Sequence, residues 1–287
     1  MPLAIDCPLC AGATQRLFSK DSYWIRECGG CGHRHAELEE SRDHVDRTYG
    51  DSYFSGGGAG YRDYLSEGEI LRAHGERYAR LLGRYLPPGK LLDVGCAAGF
   101  LLKGMIDGGW EGDGLEPNAR MAGFAKSELG LNVFHCSLEE YQGEAGFDLV
   151  SMIQVLPHFV DPAAALARVK SLVRPGGHLL IETWNHRSRT ARLFGKHWHE
   201  YSPPSVLHWF SPDELAAFLE RFGFTKVASG RPAKWLNMGH AKSLVTYKLQ
   251  HSRLGRAASV VLGLVPARLS VPYPAEDLFW MLLEQTG

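Results

Sequence analysis

The stretch KLLDVGCAAGFLLKGM, residues 90–105, limits the fold of this chain more than any other. A short apolar run ends in an acid, Asp93, and is followed by a turn of small residues and then by a helix-like apolar pattern. Small residues let a ligand approach the backbone, and the first turn of a helix offers free N–H groups. The stretch therefore predicts a strand, a glycine turn and a helix that together bind a nucleoside or nucleotide.

The spacing of the small residues excludes the dinucleotide fingerprint. That fingerprint requires glycine at positions 95, 97 and 100, whereas this chain has Gly95, Ala97 and Phe100. An acid that closes the strand, followed by G-x-x-x-G from Gly95 to Gly99, fits instead. A second acid, Glu116, lies 21 residues past Gly95, where a carboxylate on the next strand can accept both hydroxyl protons of a ribose.

These features resemble the class I S-adenosylmethionine (SAM) methyltransferases, whose first motif is written D-x-G-x-G-x-G. Ala97 stands at the middle glycine of that motif. Residues 147–159, FDLVSMIQVLPHF, are similar to the family pattern FDxVxxxxVLEH, with Pro157 in place of the glutamate. A P-G-G turn at 175–177 is shared as well. The resemblance covers roughly residues 45–250 and implies SAM as the cofactor.

The resemblance implies an α/β, Rossmann-like fold with a seven-stranded, mostly parallel sheet. An amphipathic helix is predicted over 69–86, and strands at 224–229 and 243–249 would form the antiparallel edge of the sheet. The apolar run 278–283 predicts a terminal amphipathic helix, part of a C-terminal helical appendage. The predicted units are a zinc-binding module at 1–36, a linker and aromatic lid at 37–68, a methyltransferase domain at 69–250 and an appendage at 251–287.

The resemblance also assigns the cofactor side of the site. Glu116 would bind the ribose, and Leu138 would pack on the adenine beside Ser137, which stands where the family often has an Asp. Gln154 would face the cofactor, and His158 matches the family histidine. The full predicted set is Asp93, Gly95, Cys96, Ala97, Gly99, Phe100, Glu116, Pro117, Ser137, Leu138, Gln154, His158 and, from the lid, Tyr53.

Four of the six cysteines lie in the first 31 residues, as two C-x2-C pairs. In a chain of an intracellular protein, such pairs predict a four-thiolate structural zinc site rather than disulfides. The predicted ligands are Cys7, Cys10, Cys28 and Cys31. The module would consist of two knuckles joined by a β-hairpin that carries Leu17-Phe18 and Tyr23-Trp24-Ile25. Its role is either substrate recognition or, as favoured here, a structural clip beside the substrate pocket or a dimer contact.

The segment after this module is rich in glycine and aromatic residues. Tyr49, Tyr53, Phe54, Tyr61 and Tyr64 surround a glycine-rich stretch. Similar segments precede the SAM motif in related methyltransferases, which favours a lid over the cofactor. The alternative is a linker that packs on the main domain.

The methyl acceptor is predicted to bind to residues 184–210, an insertion above the carboxyl ends of the strands. It contains four histidines, three tryptophans and two prolines. A hydroxyl acceptor benefits from a base with a pKa near neutrality, for which histidine is suited. His199 with Glu200 is the leading candidate and His208 the next; the alternative is that these side chains only pack the loop.

Charge and hydropathy narrow the class of function further. The formal net charge is −1, and residues 1–48 carry six Lys/Arg against eight Asp/Glu, so nucleic acid is not an expected partner. No apolar run reaches the length of a transmembrane helix, and no signal peptide is evident. We therefore expect a cytoplasmic protein. The appendage at 251–287 is expected to be a docking or dimerisation segment, so a homodimer is possible in solution.

The sequence thus predicts a SAM-dependent methyltransferase that acts on a small-molecule, sugar or lipid-linked acceptor, more at oxygen than at carbon or nitrogen. Two alternatives stay open at this point. One is an RNA methyltransferase guided by the zinc module, which would show salt-dependent RNA binding. The other is a non-catalytic SAM-binding scaffold, suggested by Ser137 and Pro157 at positions where the family has other residues.

Overall fold

The protein is described here by a computed structural model. It describes residues 5–38, 48–55, 63–237, 270–273 and 275–287. The predicted strand at 243–249 and the glycine-rich stretch after residue 55 lie outside these residues. None of the helices in the described part of the chain combines the length and the apolar character needed to span a bilayer.

The chain alternates strands and helices through most of its length. The strands are β1 (Thr14–Lys20), β2 (Tyr23–Cys28), β3 (Arg34–Ala36), β4 (Lys90–Val94), β5 (Glu111–Leu115), β6 (Asn132–Phe134), β7 (Phe147–Ile153), β8 (Val173–Trp184), β9 (His208–Trp209), β10 (Phe224–Gly230), β11 (Lys234–Asn237), β12 (Ser270–Tyr273) and β13 (Leu278–Gln285). The helices are α1 (Asp51–Ser55), α2 (Gly68–Leu82), α3 (Phe100–Asp107), α4 (Ala119–Leu129), α5 (Pro162–Leu172), α6 (Arg189–Phe194) and α7 (Pro212–Glu220).

Seven strands form the main sheet in the order β10-β13-β8-β7-β4-β5-β6. The pairs from β8 to β6 are parallel, whereas β13 runs antiparallel to both β8 and β10. The predicted Rossmann-like, mostly parallel sheet of seven strands is therefore confirmed. Because β4, β5, β7 and β8 are parallel, their carboxyl ends lie on one edge of the sheet, where open α/β sheets bind ligands.

Both faces of this sheet are buried, because successive side chains of each strand alternate between two cores. One core contains Leu92, Val150 and Ile181 together with residues of α5 and α7. The other contains Leu91 and Leu180 together with residues of α2, α3 and α4. Helices on both faces explain why the central strands carry near-continuous apolar runs.

The structure corrects the prediction for the C-terminal part of the chain. Leu278–Gln285 is a strand in the interior of the sheet, not a helix of an appendage, and its first six residues are all buried. Met281 pairs with Ile181 of β8 on one side and with Ser229 of β10 on the other. A strand buried on both faces has no period-2 pattern, so its apolar run could not be told from a helix.

The N-terminal residues form a second, antiparallel sheet in the order β1-β2-β3-β9. The hairpin predicted around Leu17-Phe18 and Tyr23–Ile25 is confirmed as β1 and β2. The fourth strand, β9, comes from the segment predicted to bind the acceptor, and His35 pairs with His208 at this joint. The small sheet is thus continuous with a wall of the main domain.

Candidate active site

A cavity of about 460 Å³ opens at the carboxyl ends of the parallel strands. Its walls include the ends of β4, β5, β7 and β8, part of the segment 48–55 and part of the insertion that follows β8. The cavity therefore lies where the sequence places both the cofactor and the acceptor.

The turn after β4 depends on three residues with positive φ, namely Gly95 at 67°, Ala97 at 49° and Gly99 at 78°. A Cβ atom on Gly99 would lie 2.5 Å from Cδ1 of Leu131, so this position requires glycine. Ala97 adopts the left-handed conformation despite its Cβ atom, at a cost of roughly 1–2 kcal/mol. The turn is therefore kept although the middle glycine of the motif is absent.

Glu116 is buried at the end of β5 and is oriented by two backbone N–H groups. Its Oε2 accepts a hydrogen bond from Ala97 N–H at 2.8 Å, and its Oε1 accepts one from Asn118 N–H at 2.7 Å. A carboxylate has about four lone-pair sites, so each oxygen can accept one further proton from a ligand. Burial raises the pKa of Glu116 to about 7, against the lowering effect of the two N–H groups.

Asp93 lies next to Glu116 in the cavity wall and is also buried. Its Oδ1 accepts a hydrogen bond of 2.6 Å from the Ser151 hydroxyl on the neighbouring strand β7. Burial raises the pKa of the Asp93 carboxyl to about 7. Two acids with raised pKa values in one cavity are typical of a binding site rather than of a structural ion pair.

The aromatic segment before α2 covers one side of the cavity. Tyr49 and Tyr53 meet edge to face, with ring centroids 5.2 Å apart, and both line the cavity. The side-chain amide of Asn118 donates to the Tyr49 carbonyl at 3.1 Å and to Oδ1 of Asp51 at 3.2 Å. Since the Asn118 backbone also binds Glu116, this segment is tied directly to the predicted ribose acid.

His199 and Glu200 also line the cavity, and Nε2 of His199 is 2.5 Å from Oε1 of Glu200. The next residue, Tyr201, is buried and accepts a hydrogen bond of 2.6 Å from Arg34 of β3. The ring of Phe18 in β1 meets Tyr201 edge to face at 4.9 Å. The small N-terminal sheet therefore supports the wall that carries His199 and Glu200.

The structure brings most of the predicted site residues together. Those that line the cavity are Tyr53, Asp93, Gly95, Cys96, Ala97, Glu116, Pro117, Ser137, Leu138, Gln154, His158, His199 and Glu200. Gly99 and Phe100 do not line it: Gly99 precedes α3 as its N-cap, and the Phe100 ring packs 5.6 Å from Phe124.

His208, the second candidate base, does not line the cavity. Its surroundings argue against the predicted role as a base. It is buried in β9, where its Nδ1 lies 3.1 Å from Nε2 of His33. Burial lowers its pKa to about 3. A histidine that is buried against the N-terminal sheet and is not part of the cavity wall has no access to an acceptor.

Sequence reasoning missed a buried polar network at the end of β8. The Glu182 carboxylate is fully buried and lines the cavity with His74. It accepts hydrogen bonds from Tyr78 at 2.5 Å and Gln154 at 2.7 Å, and His74 Nε2 lies 3.1 Å away. The available signal was an acid at the carboxyl end of an apolar strand. Burial of a carboxylate there is costly unless other groups pair with it or donate hydrogen bonds to it.

The four N-terminal cysteines form a compact cluster. Their sulfur atoms all lie within 4.8 Å of one another, with Cys7 and Cys31 at 3.6 Å and Cys10 and Cys28 at 3.5 Å. The backbone N–H of Gly30 donates to the Cys28 sulfur at 3.3 Å. The arrangement offers four thiolate ligands to one ion, in a module whose sheet continues into the acceptor-side segment.

Comparison with known proteins decides the family. A family model described as a methyltransferase domain matches residues 66–229, more than half of the 287-residue chain. The chain belongs to the methyltransferase-domain family. The matched residues include the glycine turn, Glu116, the β7 motif and β8, and so the greater part of the cavity wall of this methyltransferase.

Two curated relatives share this region. The methyltransferase is 31% identical over 162 residues to the ubiquinone biosynthesis O-methyltransferase of Aromatoleum aromaticum, covering 52% of this chain and 67% of the relative. It is 30% identical over 143 residues to the ubiquinone biosynthesis O-methyltransferase of Caulobacter sp. strain K31, covering 45% and 57%. The chain thus spans about two thirds of the first relative and somewhat more than half of the second.

A solved structure supports the fold over nearly the whole methyltransferase. It is the Burkholderia thailandensis 1,6-didemethyltoxoflavin-N1-methyltransferase, with bound 1,6-didemethyltoxoflavin and S-adenosylhomocysteine. The TM-score is 0.53 at 18% identity, and the alignment covers 95% of this chain and 100% of the other. At this identity the likeness concerns the fold alone.

Proposed function

We propose that this methyltransferase transfers the methyl group of SAM to an oxygen atom of a small-molecule acceptor. The observation that carries the proposal is that Glu116 and the His199–Glu200 pair line the same cavity. The names of the two curated relatives, both O-methyltransferases, support the choice of oxygen.

The cofactor residues fit SAM by the chemistry of their donor and acceptor atoms. In this proposal Glu116 accepts the ribose hydroxyls, because both of its oxygens keep a lone pair after binding Ala97 and Asn118. Leu138 and Ser137 border the adenine, while Gln154 and Tyr53 face the sulfonium end. SAM, when bound, supplies an electrophilic methyl group on a sulfonium.

On the acceptor side, the protein would chiefly hold the reacting oxygen in line with the S–CH3 bond. Positioning of this kind lowers the barrier by converting an encounter into an intramolecular step. His199 and Glu200 lie in the wall where the acceptor hydroxyl would bind. Trp184 and Val206 in the same wall offer apolar surface to the rest of the acceptor.

We also propose that the four cysteines bind a structural Zn²⁺ ion. Tetrahedral Zn–S bonds of about 2.3 Å place sulfurs roughly 3.8 Å apart. Three of the six sulfur pairs are separated by 3.5 or 3.6 Å, and all four sulfurs lie within 4.8 Å of one another. N–H groups that point at a cysteine sulfur stabilise its thiolate form. The ion would hold the small sheet in place and, through β9, the acceptor wall.

Isothermal titration with SAM and S-adenosylhomocysteine tests the cofactor half of the proposal. We expect both to bind, and a protein that binds neither contradicts it. Labelled SAM, incubated with catechol and separately with a metabolite extract, tests the acceptor half. A methoxy product identified by NMR is expected; methylation only at nitrogen or carbon, or no product at all, would overturn the assignment to oxygen.

A further inference from the structure

The segment that follows β8 carries a surface that is both basic and apolar. Residues 187–197 contain four Arg/Lys and no Asp or Glu, whereas the whole chain has a formal net charge of −1. Residues 192–197 are all exposed. Among the large hydrophobic side chains in the described part of the chain, Leu193 has the greatest exposure, at 82%, and its neighbour Phe194 is 46% exposed. We refer to Arg189 and residues 192–197 as the α6 surface.

The start of α6 is fixed by hydrogen bonds to its first turn. The Ser188 hydroxyl accepts the Ala191 N–H at 2.9 Å. The Glu276 carboxylate accepts the N–H groups of Arg189 and Thr190, each at 2.9 Å. These are N–H groups that have no partner within the helix itself. The helix is therefore tied both to the chain before it and to the loop before β13.

The inner side of α6 packs against the rest of the protein. Ala191 is buried in an apolar cluster that contains Trp198 and residues of the N-terminal sheet. The Trp198 indole N–H donates to Oδ2 of Asp277 at 2.9 Å. The chain is thus anchored on both sides of Leu193, so the exposed leucine is carried by a well-supported turn of chain.

Exposed cations flank this leucine. Arg189 lies four residues before Leu193 and so occupies the same side of the helix. Arg192 precedes Leu193 directly, and Lys196 follows it by three residues. Arg187 is instead paired with a carboxylate of α7 at 2.5 Å. Three cations therefore surround an apolar centre.

Charge and hydropathy together select the kind of partner. A two-fold contact with a second copy would place the same cations against one another, and like charges repel. A nucleic acid would attract the cations, but its phosphate backbone offers no apolar contact to Leu193. A bilayer that contains anionic lipids offers phosphate groups to the cations and acyl chains to the leucine.

We propose that the α6 surface docks this methyltransferase onto a bilayer that contains anionic lipids. Leu193 enters the boundary between the headgroups and the acyl chains, while the three cations lie at the phosphate groups. The surface adjoins the cavity along the chain, since His199, two residues further on, lines it. The docking needs neither SAM nor an acceptor, so it stands apart from the proposed O-methylation. An apolar centre and a cationic rim are two weak signals that act together, so loss of either should weaken the binding.

Co-sedimentation with vesicles tests the docking without any activity measurement. One set of vesicles consists of phosphatidylcholine alone, and the other of equal parts of phosphatidylcholine and phosphatidylglycerol. We expect the full chain to bind the second set and not the first. It should dissociate as the NaCl concentration is raised, because salt screens the attraction between charges. Binding to neither set, or equal binding to both, would overturn the proposal.

Two single substitutions separate the apolar from the charged contribution. Leu193→Glu should weaken binding to the anionic vesicles by roughly 10-fold or more, because a buried leucine side chain is replaced by a charge of the wrong sign. Arg192→Ala should weaken it by roughly 5-fold, the amount expected for one Lys or Arg near an anionic surface. Wild-type affinity in Leu193→Glu would refute the docking by this surface.

Val227→Glu and Lys226→Ala are the matched controls. Both side chains are exposed on β10, and each substitution makes the same change of charge as its counterpart in the α6 surface. Both controls should keep wild-type binding to the vesicles, and all four variants should keep the melting temperature and the Kd for SAM. A similar loss of binding in the controls would show that only net charge matters and would contradict the assignment to the α6 surface.

Analytical ultracentrifugation and RNA titration test the other two partners. Without vesicles, we expect the wild type and Leu193→Glu to sediment alike. A dimer that Leu193→Glu dissociates would assign the surface to a second copy of the chain. Salt-dependent RNA binding that is lost in Arg192→Ala and kept in Leu193→Glu would assign it to a nucleic acid. Either result would overturn the proposal.

Discussion

The guanidinium of Arg34, in the cysteine-containing module, donates a hydrogen bond of 2.6 Å to the hydroxyl of Tyr201, a buried residue next to the cavity-lining Glu200. Arg34 is also held by Glu27 at 2.7 Å. Tyr201 follows Glu200 directly, so this partly buried hydrogen bond links the N-terminal sheet to the segment that lines the acceptor side of the cavity.

Tyr201→Phe removes this hydrogen bond and leaves the ring packing in place. Because the donor is charged, we expect the free energy of unfolding to fall by about 1.5–3 kcal/mol. The KM for the acceptor should rise, whereas the Kd for SAM should not change. Tyr85→Phe, at a side chain that is 44% exposed, is the control. An equal loss of affinity for SAM would contradict the inference that Tyr201 supports the acceptor side of the cavity.

Cys28→Ser should lower the zinc content and the melting temperature of the protein. The module has little core of its own, so metal binding is expected to supply much of its stability. SAM should still bind, because Asp93 and Glu116 lie on β4 and after β5. Atomic emission, calorimetry and SAM titration measure the three effects. Cys136→Ser, outside the cluster, should keep the full zinc content; wild-type zinc content in Cys28→Ser would sink the zinc proposal.

The affinity for SAM should depend on pH through Glu116. Burial raises its pKa to about 7, so the carboxylate loses acceptor capacity as the pH falls from 8 to 6, and the Kd for SAM should rise. Glu116→Gln should weaken binding at pH 8 by roughly 10- to 150-fold, since a hydrogen bond to a charged group contributes about 1.5–3 kcal/mol, and should reduce the pH dependence. Glu111→Gln, at the exposed first residue of β5, serves as the control in the titrations. An unchanged Kd in Glu116→Gln would exclude a role in ribose binding.

The stability of the SAM-free protein should depend on pH through Asp93. Its folded pKa is about 7 against a usual 3.8, so the folded state binds the proton more tightly than the unfolded state. The corresponding stabilisation is present below about pH 4 and is lost as the pH rises through 7. Asp93→Asn should therefore reduce the loss of unfolding free energy between pH 5 and pH 8, as measured by urea denaturation.

Asp148 offers a control of opposite sign. It pairs with Arg174 at 2.5 Å, which lowers its pKa, so its contribution is present at high pH and is lost as the pH falls. Asp148→Asn should destabilise the protein more at pH 8 than at low pH. If Asp93→Asn showed this same pattern, the raised pKa of Asp93 would be wrong.

Local patterns of the sequence were sufficient for part of this site. The C-x2-C pairs predicted the cysteine cluster, because both ligands of each pair lie within one turn of chain. Glu116 was found by its distance from Gly95, since the length of a β-α-β unit fixes where the second strand ends. The contact of Glu116 with Ala97 N–H is the structural consequence.

Contacts between distant segments could not be predicted in the same way. Nothing in the sequence near His208 shows that its strand pairs with β3, so the sequence alone predicts a candidate base at a residue that is buried in the structure. The network of His74 with Glu182 joins α2 to β8. Such pairings depend on the tertiary arrangement and leave no periodic signal in either segment.

The position of β13 has a consequence for how this protein is made. The strand fills the gap between β8 and β10, yet it follows every other strand of the main sheet in the sequence. During synthesis, β13 is absent from the time residue 230 emerges until residue 278 emerges. In that interval the edges of β8 and β10 that pair with β13 in the described sheet are open. At about 5–20 residues per second, this interval lasts several seconds. Open strand edges template aggregation, so the nascent chain is most in need of chaperone protection just before its last strand is inserted.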